Sequence, residues 1–242
     1  MDERRVAASS PPPAAHQEER VRFAWAARLF GRLLSLYVRF VALTSRVSGG
    51  PVTQGPTVLA FWHESNLAVA AIVMKLRADR HMVTFSTRGF RGVSMNAMLE
   101  GLGAAVMAMP GEGPGGRAEA ARLTAETARL ARLGWAVVVS CDGPFGPYRV
   151  AKPGALMVAR EAGIPVVPWT VACRPTVRLA RRWDRQLVPL PFGRLRIEEG
   201  RHLELGPRQP IKPQLAVLQA ELTRIAELSD RRMAYDGRPT AT

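Results

Sequence analysis

Two titratable side chains stand where apolar runs stop: His63 after residues 57–62, and Asp142 after the run that holds Val137, Val138 and Val139. Such a run reads as a buried strand that presents a polar group at its end, and ligands in open α/β sheets collect at the carboxyl ends of strands. A neutral imidazole in that place can take a proton from an attacking hydroxyl, because its ordinary pKa of about 6.5 suits a general base near neutrality. A histidine satisfied by backbone at a helix start is the plainer alternative. Asp142 opens the turn Asp142-Gly143-Pro144-Phe145-Gly146-Pro147, whose prolines hold a carboxylate at small entropic cost. Three roles are open to it: holding an imidazolium, positioning a substrate hydroxyl, or accepting amides of its own turn. Glu64, beside His63, either orients the ring or is a first-turn acid favoured by the helix dipole.

Several cations and glycines are candidates for binding an anion. Arg149 and Lys152 follow the Asp142 turn, Arg88 and Arg91 flank Gly89, and Gly111-Glu112-Gly113-Pro114-Gly115-Gly116 leads into Arg117. Glycines ahead of a helix leave backbone N–H groups free for a phosphate or carboxylate, but the Lys-Ser/Thr ending of a P-loop is missing. No Gly-x-Ser-x-Gly elbow occurs, which disfavours a serine hydrolase of that type. Cys141 and Cys173 fall inside expected strands, with no disulfide framework or metal spacing. Neither a metal nor a bound organic cofactor is expected. The segment from Trp183-Asp184-Arg185 to Pro189, Pro191, Phe192 and Gly193 is rigid and aromatic, and Arg174, Arg178, Arg181, Arg182, Arg194 and Arg196 surround it. It reads as a surface for acidic headgroups or as a structural loop with snorkelling arginines.

Short apolar runs alternate with amphipathic helices along most of the chain. Strands are expected over 57–62, 82–87, 104–109, 136–141 and 164–172, with one or two more in 194–205; helices are expected over 64–77, 93–100, 117–133, 154–161 and 213–228. The pattern predicts a single α/β domain over 51–230, with a central, mixed, mostly parallel sheet flanked by helices. A Pro-rich arm over 1–20 and a frayed tail over 231–242 bracket it.

The formal net charge is +14, carried almost wholly by arginine. A basic surface favours an anionic partner, nucleic acid or acidic phospholipid. Within residues 21–50, Arg22, Arg28, Arg32, Arg39 and Arg46 are interleaved with aromatics and leucines and no acid. That pattern predicts an amphipathic helix in a membrane interface; a core helix with a solvated basic face is the alternative. No apolar run reaches about 18 residues, the length a spanning helix needs, and no signal-peptide cleavage pattern is present. The expected location is cytoplasmic and peripheral, on the inner face of the plasma membrane. No recognised nucleic-acid motif accompanies the charge, so a nucleic-acid partner is not expected.

Phe61-Trp62-His63, Gly115-Gly116-Arg117-Ala118-Glu119-Ala120, Asp142-Gly143-Pro144-x-Gly146-Pro147 with Lys152-Pro153-Gly154, Gly163-Ile164-Pro165-Val166-Val167-Pro168, and Trp183-Asp184 with Pro189-x-Pro191-Phe192 occur in that order. Together they resemble the lysophospholipid acyltransferase superfamily, in particular a bacterial branch related to lipid A acyltransferases. The resemblance implies transfer of an acyl chain from acyl carrier protein or coenzyme A to a hydroxyl of a lysophospholipid or lipid A-like acceptor. It places His63 as general base and the Asp142 turn, with Gly143 and Pro144, at the acceptor's polar end. Gly116, Arg117, Arg149, Lys152, Arg88 and Arg91 would hold anionic groups. The pattern departs from the family's at two points. The acid usually found five residues after the histidine is here Ala68, leaving Glu64 or a remote carboxylate such as Asp142 to stand in. The family's Arg-Gly-Ser run is replaced by Met109-Pro110-Gly111-Glu112. A non-catalytic lipid-binding relative is the alternative these departures suggest.

Overall fold

One short strand, buried on both faces, lies at the centre of the architecture. The computed structural model describes residues 14–50, 55–76, 81–87, 90–109 and 116–235. Strand β2 (Val58–Phe61) is buried along its whole length: Leu59 and Phe61 face one apolar cluster, while Val58, Ala60 and the following Trp62 face another. Period-two side chains and burial on both faces mark the central strand of a helix-covered parallel sheet.

Among the described residues seven strands form that sheet: β1 (Arg46–Gly49), β2, β3 (Met82–Ser86), β4 (Ala104–Ala108), β5 (Ala136–Ser140), β6 (Val166–Arg178) and β7 (Leu187–Glu199), in the order β1-β7-β6-β2-β5-β3-β4. All neighbours run parallel except β6 and β7. One face carries α1 (Ala14–Thr44), α2 (Asn66–Leu76) and α3 (Phe90–Gly101); the other carries α4 (Gly116–Arg132), α5 (Gly154–Ala162) and α6 (Ile211–Tyr235). The result is a single α/β domain with a mixed, mostly parallel sheet, as the sequence predicts.

Register follows from these pairings. Phe61 lies opposite Ser140 in the β2–β5 ladder, and the Cys141 amide donates to the Phe61 carbonyl at 2.8 Å. Two residues further along each chain, His63 and Asp142 therefore emerge side by side at the carboxyl edge.

α1 packs on α3 through small residues. A Cβ at Gly31 would collide with the Ser94 carbonyl oxygen and crowd Ala97, so glycine permits the close approach. Ala27, Ser35, Val38, Val41 and Ala42 continue the inner stripe, while Phe23, Trp25, Leu29, Phe30, Leu33, Leu36, Phe40 and Leu43 are exposed. Among the described residues no helix is long and apolar enough to cross a membrane.

Several expected boundaries move. Residues 14–20, expected in the arm, belong to α1, which stops at Thr44 and gives way to β1 inside the stretch expected to be helical. Residues 1–13 lie outside the described residues, as do 236–242, while α6 runs on to Tyr235. The largest difference is the hairpin of β6 and β7, 13 residues each, in place of strands over 164–172 and 194–205. The distal half of β6 is exposed; it is held as strand by cross-strand bonds to β7 that its own hydropathy does not announce.

Candidate active site

His63 opens a single 3₁₀ turn, His63–Ser65, directly after β2. Its backbone N–H donates to Asp142 Oδ1 at 2.7 Å, and the Arg149 amide donates to Asp142 Oδ2 at 3.0 Å. Both carboxylate oxygens of the fully buried Asp142 are therefore spent on main chain. This corrects the expectation that Asp142 orients the imidazole or the acceptor: it is a brace between the ends of β2 and β5. Burial pushes its carboxyl above the ordinary range, and the His63 and Arg149 amides offset that only in part.

The ring of His63 is held from elsewhere. Nδ1 lies 2.9 Å from Oδ2 of Asp184, whose side chain is completely buried. Asp184 is 121 residues away in sequence, in the connection between β6 and β7. β6 runs parallel to β2 but continues well past it, so the turn at its far end folds back over the carboxyl edge. The Leu179 amide donates to the Gln186 carbonyl at 2.9 Å, closing that turn, and Gln186 Nε2 donates to the Glu64 carbonyl at 2.8 Å, fastening it to the 3₁₀ turn. Arg182 Nε and Nη2 donate to Oδ1 and Oδ2 of Asp184 at 2.9 and 2.8 Å. Burial raises the Asp184 carboxyl, but the hydrogen bonds from Arg182 and His63 outweigh it and hold the group well below the usual carboxylate range. It is a carboxylate at neutral pH. An imidazole whose Nδ1 donates to a carboxylate has Nε2 unprotonated, the tautomer a general base needs. Ala68, five residues after His63, is buried in the core; the acid comes from the hairpin instead.

Trp183 walls the imidazole, with ring centroids 5.1 Å apart and a 50° tilt. Gly143 lies against the opposite edge: a Cβ there would stand 2.9 Å from both His63 Cδ2 and Ser140 Oγ. Only glycine allows the Asp142 turn to close on the ring.

Glu64 turns away from His63. Its buried carboxylate accepts from Tyr148 Oη at 2.6 Å, from Arg149 Nε at 2.9 Å and also from Arg149 Nη2, and from Arg178 Nη1 at 3.2 Å. Three segments converge on that one acid: the His63 turn, the Asp142 loop and β6. Its expected part in orienting the ring is corrected to a structural one. Arg149 is corrected with it: its guanidinium is bound to Glu64 and it is not among the residues that line the cavity beside His63. Burial alone would lower the Arg149 guanidinium, but Glu64 more than compensates and raises it.

The other expected residues divide. Gly143, Pro144 and Lys152 line a cavity of about 1180 Å³ that His63 also lines. Lys152 Nζ donates to the Gly143 carbonyl at 3.0 Å, so an ammonium sits on the same wall as the imidazole. Gly116 and Arg117 begin α4, where Arg117 is exposed and outside the cavity wall. Arg88, the glycines 111–115 and the side chain of Arg91 lie outside the described residues. The cavity is mainly apolar: besides His63 it is lined by Phe61, Leu67 and Val138, by Met95, Met98 and Leu99 of α3, and by Ala27, Phe30 and Leu34 of α1. Its volume exceeds the range of about 300–1,000 Å³ usual for small-molecule pockets.

Asp184 is the carboxylate that meets His63, and local spacing around His63 does not point to it. Its signal was the Trp-Asp pair in a proline-rich, aromatic stretch, one of the pieces that carry the family resemblance.

No protein-family model matches this chain. An uncharacterized protein of Rickettsia prowazekii, strain Madrid E, is 25% identical over 182 residues, which are 72% of this chain and 79% of that protein. Among solved structures, the 1-acyl-sn-glycerophosphate (LPA) acyltransferase from Thermotoga maritima is similar over 90% of this chain and 84% of its own, with a TM-score of 0.49 and 17% identity.

Proposed function

We propose that the protein is an O-acyltransferase that moves an acyl chain from a coenzyme A or acyl carrier protein thioester to a hydroxyl of a lysophospholipid or lipid A-like acceptor. The observation that carries this reading is that His63, paired behind the wall with buried Asp184, lines a large, mainly apolar cavity: a prepared base meets a space suited to a hydrocarbon chain. His63 Nε2 takes the proton of the acceptor hydroxyl as its oxygen attacks the thioester carbonyl. Asp184 stabilises the imidazolium through Nδ1–H, without itself taking the proton. The tetrahedral intermediate then collapses, the carbon–sulfur bond breaks, and the proton passes from Nε2 to the departing thiolate. Lys152 supplies positive charge for the oxyanion.

The exposed aromatic and leucine side chains of α1, together with exposed Arg28, Arg32 and Arg39, support docking on an anionic bilayer. Phe192 extends that face. It is 77% exposed, its ring stands edge-on to Phe40 at 5.6 Å, and its amide donates to Thr44 Oγ1 at 3.1 Å. The order of the family motifs supports the same assignment. Purified protein is to be incubated with palmitoyl-coenzyme A, or separately with palmitoyl-acyl carrier protein, and lysophosphatidic acid in anionic vesicles. Mass spectrometry then reads the product. Diacyl product is expected, with a fall of about 10²–10⁴-fold in His63→Ala. Undiminished transfer in that variant would reject the role of His63; absence of transfer across a panel of donors and lysolipid acceptors would reject the activity.

A further inference from the structure

Arg182, one of the arginines that the sequence places around the Trp183-Asp184 segment as headgroup contacts or snorkelling side chains, is bound into this site instead. A completely buried carboxylate is stable only when paired and hydrogen-bonded, and Arg182 meets Asp184 with two parallel bonds of 2.9 and 2.8 Å. Oδ1 also accepts the Gln186 amide at 3.3 Å, while Oδ2 is shared between Arg182 Nη2 and His63 Nδ1. A single contact would leave the carboxylate free to turn about its last torsion. A planar fork that engages both oxygens fixes its plane.

We propose that Arg182 is a positioning residue for the base: its guanidinium fixes the plane and charge of Asp184 so that Oδ2 faces His63 Nδ1, which keeps Nε2 unprotonated on the cavity wall. Arg182, Trp183 and Asp184 then act as one unit on the imidazole, through clamp, aromatic wall and acceptor. The side chain of Arg182 is half-exposed and itself lines the cavity, so the clamp closes from the mouth of the site. Lysine is a poor substitute, because a point charge on a flexible stem cannot hold two oxygens in one plane.

The catalytic consequence rests on the acyl-transfer reading, but the tautomer does not. Long-range ¹H–¹⁵N spectra of histidine-labelled full-length protein report which ring nitrogen carries the proton, with His63→Gln assigning the resonance among four histidines. Wild-type protein is expected to show neutral His63 protonated at Nδ1, as a single form. Arg182→Gln and Arg182→Lys are both expected to show a mixture of tautomers. In the transfer assay both should lose about 10- to 100-fold in kcat with KM within about twofold, the size of effect that small misplacements of a catalytic group produce. A wild-type spectrum in Arg182→Gln, or full restoration of spectrum and kcat by lysine, would overturn the proposal. If Arg182→Gln does not fold, Arg182→Lys decides by the same two readouts. Altered tautomers without any wild-type transfer would sink the acyl-transfer reading and leave the clamp standing. Robust transfer with unaltered tautomers would do the reverse.

Discussion

Replacing Asp184 by asparagine tests the geometry at its most constrained point. The two carboxylate oxygens accept from His63 Nδ1, from two nitrogens of Arg182 and from the Gln186 amide. An asparagine must turn its NH₂ toward one of those sets. Placed at Oδ2, the NH₂ faces Arg182 Nη2 and forces His63 Nδ1 to accept, which protonates the wrong ring nitrogen. Placed at Oδ1, it faces Arg182 Nε and the Gln186 amide, so donors oppose donors. Each lost hydrogen bond to a charged partner costs about 1.5–3 kcal/mol. Arg182 is half-exposed and recovers part of its share from water, so the net loss is about 2–3 kcal/mol at neutral pH. The pH dependence carries a definite sign. Asp184 is held below the ordinary carboxylate range, so its contribution is fully present above the unfolded value of about 3.9 and fades as pH falls further toward the folded one. Urea unfolding of both proteins between pH 3 and 8 should give a gap at neutral pH that narrows as pH falls below about 4. Turnover should fall by about 10²–10⁴-fold through the wrong tautomer. A variant as stable as wild type at pH 7, or a gap that widens continuously below pH 4, would refute the pairing drawn here.

Other consequences are as direct. Gly143→Ala places a methyl 2.9 Å from His63 Cδ2 and Ser140 Oγ, so it should cost about 1–3 kcal/mol in a thermal melt and at least about tenfold in turnover; wild-type values for both would show that the turn yields. Glu64→Gln strips the charge that holds Arg149, Arg178 and Tyr148 and should destabilise by about 3 kcal/mol, the low end for a broken buried pair because both arginines reach solvent. An unchanged urea midpoint would remove Glu64 from its structural role. Burial, with the neighbouring Asp142, pushes the Cys141 thiol up to about 12, and burial also raises Cys173. Maleimide should therefore label the native protein slowly at pH 7.5 and the unfolded chain at once; rapid stoichiometric labelling of native protein would contradict that burial.

The sequence alone determined what depends on neighbours along the chain. Val58 to Phe61 and Ala136 to Ser140 are apolar enough to be central strands, and strands in an α/β sheet end at the edge where ligands bind, so local sequence places His63 and the Asp142 turn at that edge. The mostly parallel sheet follows from the same alternation of strands and helices. The tertiary structure alone decided which charges meet. His63 takes its carboxylate from a residue 121 positions away because β6 outruns β2 and its hairpin folds back, and hairpin length is set by cross-strand bonds rather than by local hydropathy. Asp142, the nearer and more conspicuous acid, is consumed by two backbone amides; Glu64 is drawn off by Tyr148 and Arg149 of the Asp142 loop and by Arg178 of β6. Local pattern fixes the site's position because burial is a property of segments. The pairing of its ions is a property of register and loop closure, and becomes visible only when the chain is folded.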